Sequence, residues 1–297
     1  MNFVVLLCAY NGEKYIEEQL KSIDSQKLKP KLLYFYDWGS TDRTVDIVES
    51  FQTDIDLRII KKEKPIGVAS GFKTGIQDIL IANEDFDYIA LCDQDDIWLE
   101  NKLSEYADSI KCMPSIDLVF SDVSTIDANG KLELPSRNHS SPYFTSELYS
   151  FDESVVFANP VVGMTILISK KLAQIYAKTN LKSEIMHDWS LVLICKLMNL
   201  HSYYIDKPLV LYRQHDNNIL GNSSNKSIIS ILLNMPKRIK KLKNQYNEIT
   251  LNLSIHKKFK HYFFIKKIPF SKIIKTKYKL VLLFFITLDY FSTNKNC

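Results

Sequence analysis

Acidic side chains that follow predicted strands are the residues best suited to chemistry. The run Asp93-Gln94-Asp95-Asp96 follows an apolar segment, residues 88–92, that predicts a buried strand. Because Asp93 and Asp95 are two apart, an extended turn would point both carboxylates to one side, where they can share a divalent cation. Magnesium or manganese is held in this way when a diphosphate supplies the remaining oxygens. From spacing alone, a solvated turn that caps the next helix is an equally good interpretation.

Further polar residues occupy similar positions along the chain. Asp37 follows a second predicted strand, with Asp42 shortly after it. Asp188 stands at the start of a predicted helix, where capping is its alternative use. Arg213 and His215 are two apart at the end of a predicted strand, so both side chains can turn toward one anionic ligand.

The elements that must position these residues alternate in type. We expect strands over 4–9, 32–36, 57–60 and 88–92, and helices over 13–26, after the capping run Ser40-Thr41-Asp42, and over 67–81. This alternation predicts an α/β fold with a mostly parallel sheet and helices on both faces. Such sheets place ligands at the carboxyl ends of their strands, which is where the acidic residues stand.

The pattern becomes mixed beyond residue 98. We expect helices over 99–111 and 187–200, and strands over 118–120, 161–168, 203–206 and 209–212, the last two flanking Pro208. The run Asp127-Ala128-Asn129-Gly130 predicts a hairpin turn.

Five short motifs, taken in order, resemble those of glycosyltransferase family 2. This family comprises nucleotide-sugar transferases of the GT-A fold, and the likeness is greatest to its bacterial rhamnosyltransferase-like members. The resemblance covers about residues 3–220, and five motifs in family order are hard to obtain by chance. The motifs are Ala9-Tyr10-Asn11-Gly12, Asp37-Trp38-Gly39-Ser40-Thr41-Asp42, Asp93-Gln94-Asp95-Asp96-Ile97-Trp98, Met186-His187-Asp188-Trp189 and Tyr212-Arg213-Gln214-His215.

The resemblance implies a role for each matching residue. Asp95 would bind Mg²⁺ or Mn²⁺, with Asp93 near the metal or the ribose, and Asp188 would be the base that deprotonates the acceptor hydroxyl. Arg213 and His215 would contact the leaving diphosphate or the metal.

The nucleotide end of the site carries one departure from the family. Tyr10 and Asn11 resemble the family's contacts to the nucleobase, and Asp37 belongs to the same group. Relatives usually have two successive aspartates before Gly-Ser, whereas here the second is Trp38. An indole at that position would either stack on a pyrimidine or fill the pocket.

Charge divides the chain near residue 225. Residues 226–297 hold sixteen Lys or Arg and two acids, a net charge of +14, whereas the preceding part has a net charge of −10. Clusters such as residues 237–243 predict an amphipathic helix with a cationic face, which suits an anionic membrane surface. Nucleic acid is the competing partner, but no base-reading motif is present. A solvated helical hairpin without any partner is the other alternative.

Several patterns bear on location. The apolar run 280–288 is far shorter than the roughly 20 residues that a membrane-spanning helix needs. The first apolar run, residues 3–9, has strand length and lacks preceding basic residues, so we interpret it as a strand and not a signal peptide. Five cysteines without metal-ligand or CxxC spacing favour a reducing compartment. We therefore expect a cytoplasmic protein on the inner face of the membrane.

Together these patterns predict a GT-A α/β domain over residues 1–220 and a basic helical region over 221–297. The expected reaction is inverting transfer of a sugar, rhamnose by family likeness, from a nucleotide-diphosphate sugar to a hydroxyl of a lipid-linked surface glycan. A catalytically silent scaffold that binds glycan or lipid is one alternative. A sugar nucleotidyltransferase is another, although it would need a glycine-rich phosphate loop that the amino-terminal segment lacks.

Overall fold

Nine strands form one sheet within the residues that the computed structural model describes, which are 1–141, 151–215, 228–255 and 259–294. The strands are β1 (Phe3–Ala9), β2 (Leu32–Asp37), β3 (Asp56–Lys61), β4 (Tyr88–Cys92), β5 (Ile97–Trp98), β6 (Ile116–Ile126), β7 (Leu132–Leu134), β8 (Leu167–Ser169) and β9 (His201–Arg213).

Helices cover both faces of this sheet and continue through the carboxyl-terminal region. They are α1 (Ile16–Asp24), α2 (Thr44–Ser50), α3 (Val68–Ile81), α4 (Lys102–Cys112), α5 (Arg137–Ser140), α6 (Lys170–Ala177), α7 (His187–Leu197), α8 (Ile228–Asn252), α9 (His261–Lys267) and α10 (Thr276–Asn294). Short 3-10 helices span Glu153–Val156, Gly163–Thr165 and Ile268–Phe270.

The first four strands in sheet order are parallel, as the sequence predicts. They run β3-β2-β1-β4, after which β8 pairs antiparallel to β4, and β6 and β9 pair parallel to each other. Both faces of β1 are buried: Val4 and Leu6 enter one hydrophobic cluster, and Val5 and Leu7 enter the other. A strand covered on both sides has no polar face, which explains the unbroken apolar run in the sequence.

Two predicted strand boundaries are wrong. The expected strand 161–168 is reduced to β8, because a 3-10 turn, in which the Ile166 N–H donates to the Gly163 carbonyl (3.1 Å), precedes it. The two strands expected around Pro208 are one strand, β9, whose register against β6 shifts where Pro208 faces Asp122. The irregularity accommodates a residue without an N–H, so the strand continues past it.

Strand β6 is much longer than the predicted 118–120. It includes the buried polar residues Asp117, Ser121 and Asp122, which hide its strand character from a hydropathy pattern. Each has a partner: Ser169 donates to Asp117 (2.9 Å), Ser121 interacts with Tyr106, and the Asn138 N–H donates to Asp122 (3.0 Å). Burial of such groups is tolerated because they are hydrogen-bonded.

The carboxyl-terminal helices pack against the sheet domain. Ile239, Leu242 and Ile249 of α8 are buried in the same cluster as Val4 and Leu6. That residues 1–220 form a separate domain therefore stays a prediction. Among the described residues, none of the helices combines the length and apolar character needed to cross a bilayer.

Candidate active site

A cavity of about 1780 Å³ lies at the carboxyl ends of β1, β2 and β4, the edge that the parallel topology indicates. Seven of the nine predicted site residues line it; Asp37 and Arg213 do not. The seven are Tyr10, Asn11, Trp38, Asp93, Asp95, Asp188 and His215.

Asp93 and Asp95 form the acidic side of this cavity. The two residues follow β4, and Asp95 Oδ2 lies 2.8 Å from His215 Nε2. Burial raises the pKa of Asp93 to about 7, and the negative charges of Asp95 and Asp188 act in the same direction. These carboxylates are therefore close enough to repel one another, which a bound cation would relieve.

The donor set fits a divalent ion whose coordination shell is completed by a ligand. No group of three or more His, Cys, Asp or Glu side chains is arranged as a metal cage in the described part of the chain. Asp93 and Asp95 offer carboxylate oxygens, the ligands that Mg²⁺ and Mn²⁺ prefer, and such ions usually take further oxygens from water or phosphates.

Asp188 lies in the first turn of α7 and is only 6% exposed. Its Oδ1 accepts the Trp189 N–H (2.7 Å), and the Trp189 indole is held by the Val155 carbonyl (2.6 Å). Burial raises the pKa of Asp188 to about 6, against the opposing effects of the Trp189 N–H, the Arg137 charge and the Asn159 side chain. The carboxylate is therefore fixed at the cavity wall, ionised at neutral pH and more basic than an ordinary aspartate.

The turn after β1 is tied to its neighbours by hydrogen bonds. The Tyr10 N–H donates to Gln94 Oε1 (2.8 Å), which links this turn to the acidic run after β4. Asn11 adopts a left-handed conformation with φ of 49°, and its side-chain oxygen accepts the Thr41 N–H (2.8 Å). The Tyr10 ring is 44% exposed and remains available to a ligand, whereas the Asn11 oxygen already has a structural partner.

Asp37 and Trp38 are adjacent in sequence, but only Trp38 lines the cavity. Asp37 is buried, and its carboxylate accepts the backbone N–H groups of Gly39 (3.0 Å) and Ser40 (3.1 Å), so its nucleotide contact stays a prediction. Trp38 is 7% exposed, stacks on Tyr36 and lies against α3 at Gly71, where a Cβ would stand 3.0 Å from the indole nitrogen. The indole therefore forms part of the cavity wall and is held in place.

Arg213 stands outside the cavity lining, so its contact with the diphosphate stays a prediction. It is 2% exposed, its Nε donates to the Asp95 carbonyl (2.9 Å), and its guanidinium pairs with Glu18 and lies over the Tyr15 ring (4.6 Å). Its own N–H donates to Asp96 Oδ1 (3.1 Å). Arg213 thus supports the turn that carries Asp95 and does not line the cavity.

Sequence reasoning missed the buried Lys102, which lies outside the cavity lining, and three cations that line the cavity. Lys102 is fully buried below the acidic run, with its amine 3.0 Å from the Met164 carbonyl and 3.2 Å from the centre of the Trp98 ring. Burial lowers its pKa to about 7 despite nearby acids. Its position on the apolar stripe of α4 is the signal that could have identified it. The three cations that line the cavity belong to α8 and are Lys237, Arg238 and Lys241.

Comparison with known proteins agrees with this architecture. Residues 4–164 match the family model for glycosyl transferase family 2. The chain is 34% identical over 219 residues to dTDP-rhamnosyl transferase RfbG of Shigella flexneri, covering 72% of this chain and 73% of that protein. It is 28% identical over 171 residues to the uncharacterized glycosyltransferase MJ1057 of Methanocaldococcus jannaschii, covering 57% of each.

Solved structures share the fold. Staphylococcus aureus TarS 1–349 in complex with UDP-GlcNAc has a TM-score of 0.57 at 19% identity, covering 90% of this chain and 76% of that one. The mannosyltransferase PcManGT of Pyrobaculum calidifontis, in complex with GDP-Man and Mn²⁺, has a TM-score of 0.52 at 15% identity, covering 86% and 72%. The fold is that of the GT-A glycosyltransferases. The chain belongs to glycosyltransferase family 2, as its five motifs indicate.

Proposed function

We propose that the protein is an inverting, metal-dependent transferase that moves rhamnose from dTDP-rhamnose to a hydroxyl of a lipid-linked surface glycan. The observation that carries this proposal is the placement of Asp93, Asp95 and Asp188 on the wall of one cavity. The identity of 34% to a protein named dTDP-rhamnosyl transferase supports the choice of donor.

The donor side of the proposed reaction uses the acidic run and the turn after β1. Asp95, with Asp93 and His215, would hold a divalent cation, which when bound offsets the charge that develops on the leaving diphosphate. The exposed ring of Tyr10 and the edge of Trp38 would border the nucleotide, because aromatic rings offer large apolar surface to a base.

The acceptor side uses Asp188. An inverting displacement needs a base across from the leaving group, so that the acceptor hydroxyl loses its proton as it attacks. A carboxylate whose pKa is raised to about 6 by burial is ionised at neutral pH and accepts a proton more readily than an exposed one. Asp188 comes from α7 and the acidic run from the end of β4, so the base and the proposed metal ligands belong to different elements around the cavity.

We further propose that the carboxyl-terminal region places the protein on the inner face of the cytoplasmic membrane. Leu280, Phe284, Leu288 and Phe291 of α10 are exposed and spaced so that they share one face of the helix. The region also carries many cations, each worth on the order of 1 kcal/mol near anionic lipid.

Turnover assays with a panel of nucleotide sugars and Mn²⁺ test the proposed reaction. We expect transfer from dTDP-rhamnose that is lost in Asp95→Ala and Asp188→Ala and retained in Asp54→Ala, which changes an exposed loop residue. Binding of nucleotide sugars without any turnover by the wild-type protein would instead favour the scaffold alternative.

A further inference from the structure

Helix α8 presents three cations to the cavity. Lys237, Arg238 and Lys241 occupy neighbouring turns of the helix and line the cavity together with Asp188 and Trp189. The Arg238 guanidinium lies 6.0 Å from the centre of the Trp189 ring, next in sequence to Asp188. Positive charge therefore lines the cavity on the side of Trp189, whereas the carboxylates of Asp93 and Asp95 come from the turn after β4.

The helix is anchored in this orientation by contacts on its other side. Ile239 and Leu242 are buried, and they alternate with the cations in the way that an amphipathic helix requires. Gln245 accepts the Ile185 N–H (2.7 Å), and Glu248 accepts the Ser183 N–H (2.7 Å). These bonds attach α8 to the segment that leads into α7, so the cations and Asp188 are held by one set of contacts.

The acidic side chains of the carboxyl-terminal region are engaged elsewhere. Glu248 is bound to Ser183, and Asp289 pairs with Lys243 (2.8 Å) and with His261. Across the described ranges, Lys237 and Lys241 form no ion pair. Their charges are thus left for a ligand that enters the cavity, and an anion is the chemistry that such a group recognises.

We propose that Lys237, Arg238 and Lys241 form a phosphate-binding site that holds the acceptor by a phosphate or diphosphate group close to its reacting hydroxyl. The identification of the ligand as the acceptor rests on the proposed transfer reaction. Guanidinium and ammonium groups suit this task because they bind phosphate oxygens through charge-assisted hydrogen bonds. An acceptor held by its phosphate would be presented to Asp188 from the side of α8. The cations of this helix then serve the substrate, and the proposed lipid contact shifts to the exposed face of α10.

Binding of farnesyl diphosphate in the presence of EDTA tests this site, since chelation removes any metal-mediated binding at the acidic side. We expect the wild-type protein to bind it, with farnesol as the uncharged control showing at least about tenfold weaker binding. The Lys237→Gln/Lys241→Gln variant should lose at least about tenfold in affinity. The matched control is Lys240→Gln, an exposed cation of the same helix that does not line the cavity, and its affinity should be unchanged. Calorimetry provides the dissociation constants.

Two further binding measurements identify the ligand and distinguish the proposed phosphate-binding site from the proposed transfer reaction. If glycerol 3-phosphate binds with the same lysine dependence, the site accepts phosphates of polyol polymers as well as lipid diphosphates; if it does not bind, the site is for lipid diphosphates. Binding of dTDP with Mn²⁺ should be equal in the wild type and the double variant. Equal losses of dTDP and farnesyl diphosphate in that variant would overturn the site, as would equal losses in Lys240→Gln or unchanged binding in the double variant. Failure of the wild type to bind dTDP would count against the proposed function alone.

Discussion

Asp188→Asn separates the chemical role of this carboxylate from its cost to the fold. Burial raises its pKa from the ordinary 3.8 to about 6, so the folded protein binds this proton more tightly than the unfolded chain does. The ionised form is therefore destabilising, and the stability that protonation provides is lost as pH rises from the unfolded pKa to the folded one. At about 1.4 kcal/mol per pKa unit, ionisation of Asp188 lowers the free energy of unfolding by roughly 3 kcal/mol at pH 8 and by roughly 1 kcal/mol at pH 4.5.

Relative to wild type, the asparagine variant should gain stability between pH 4.5 and pH 8, and it should transfer sugar much more slowly. Its free energy of unfolding relative to wild type should rise by about 2 kcal/mol between pH 4.5 and pH 8, because an amide does not ionise. This pH-dependent part is independent of the changed hydrogen bonds, which contribute equally at both pH values. Loss of the base should slow transfer by about 10²- to 10⁴-fold, and wild-type activity should fall as pH drops through about 6.

Urea unfolding at the two pH values and transfer assays on the same preparations measure both effects. Asp54→Asn, an exposed loop substitution, is the control and should alter neither quantity. A stability difference between Asp188→Asn and wild type that is the same at pH 4.5 and pH 8 would refute the electrostatic reasoning. Transfer by Asp188→Asn at a rate near wild type would refute its role as the base.

Substitutions at the proposed metal site, in the turn after β2 and on α10 have further measurable outcomes. Asp95→Asn should slow Mn²⁺-dependent transfer by roughly a hundredfold or more, since the cation supplies several kcal/mol of charge stabilisation; an undiminished rate would remove Asp95 from the proposed metal site. Gly39→Ala should lower the free energy of unfolding by about 1–3 kcal/mol, because φ is +80° and the new Cβ would lie 2.7 Å from a backbone carbonyl oxygen. Urea unfolding measures this change, and unchanged stability would contradict the local geometry. Phe284→Ser/Leu288→Ser should reduce sedimentation with anionic vesicles, whereas Ile81→Ser, at an exposed apolar residue on α3, should not. Equal sedimentation of both variants and wild type would count against α10 as the lipid contact.

The amino-terminal half of the fold could be predicted because its local patterns agree with its tertiary environment. Strands β1, β2 and β4 are buried on both faces, so their sequences are continuously apolar. Only the core of strand β6, residues 118–120, was predicted, because its buried Asp117 and Asp122 are stabilised by partners distant in sequence, Ser169 and Asn138. A window of sequence contains no information on such partners.

The candidate site could likewise be predicted only in part. The acidic residues after β4 could be placed because parallel strands bring their carboxyl ends to one edge, whereas Asp188 was placed by the resemblance of its motif to the family. Arg213 and Asp37 share the right position, yet the guanidinium of one supports the acidic turn and the carboxylate of the other binds backbone N–H groups. Motif position identifies the region of a residue, whereas the direction of its side chain depends on packing. The sequence shows the cationic cluster of α8. It does not show that these cations line the cavity, because that depends on how the helix is anchored.

Binding of dTDP to the wild-type protein, measured by calorimetry with Mn²⁺ and again with EDTA, tests whether one cavity brings acidic residues from separate elements to a cation and a nucleotide diphosphate. We expect dTDP to bind with Mn²⁺, to be displaced by dTDP-rhamnose and to bind at least about tenfold more weakly with EDTA. Absence of binding by dTDP and by every other nucleoside diphosphate tried with Mn²⁺ would contradict this expectation.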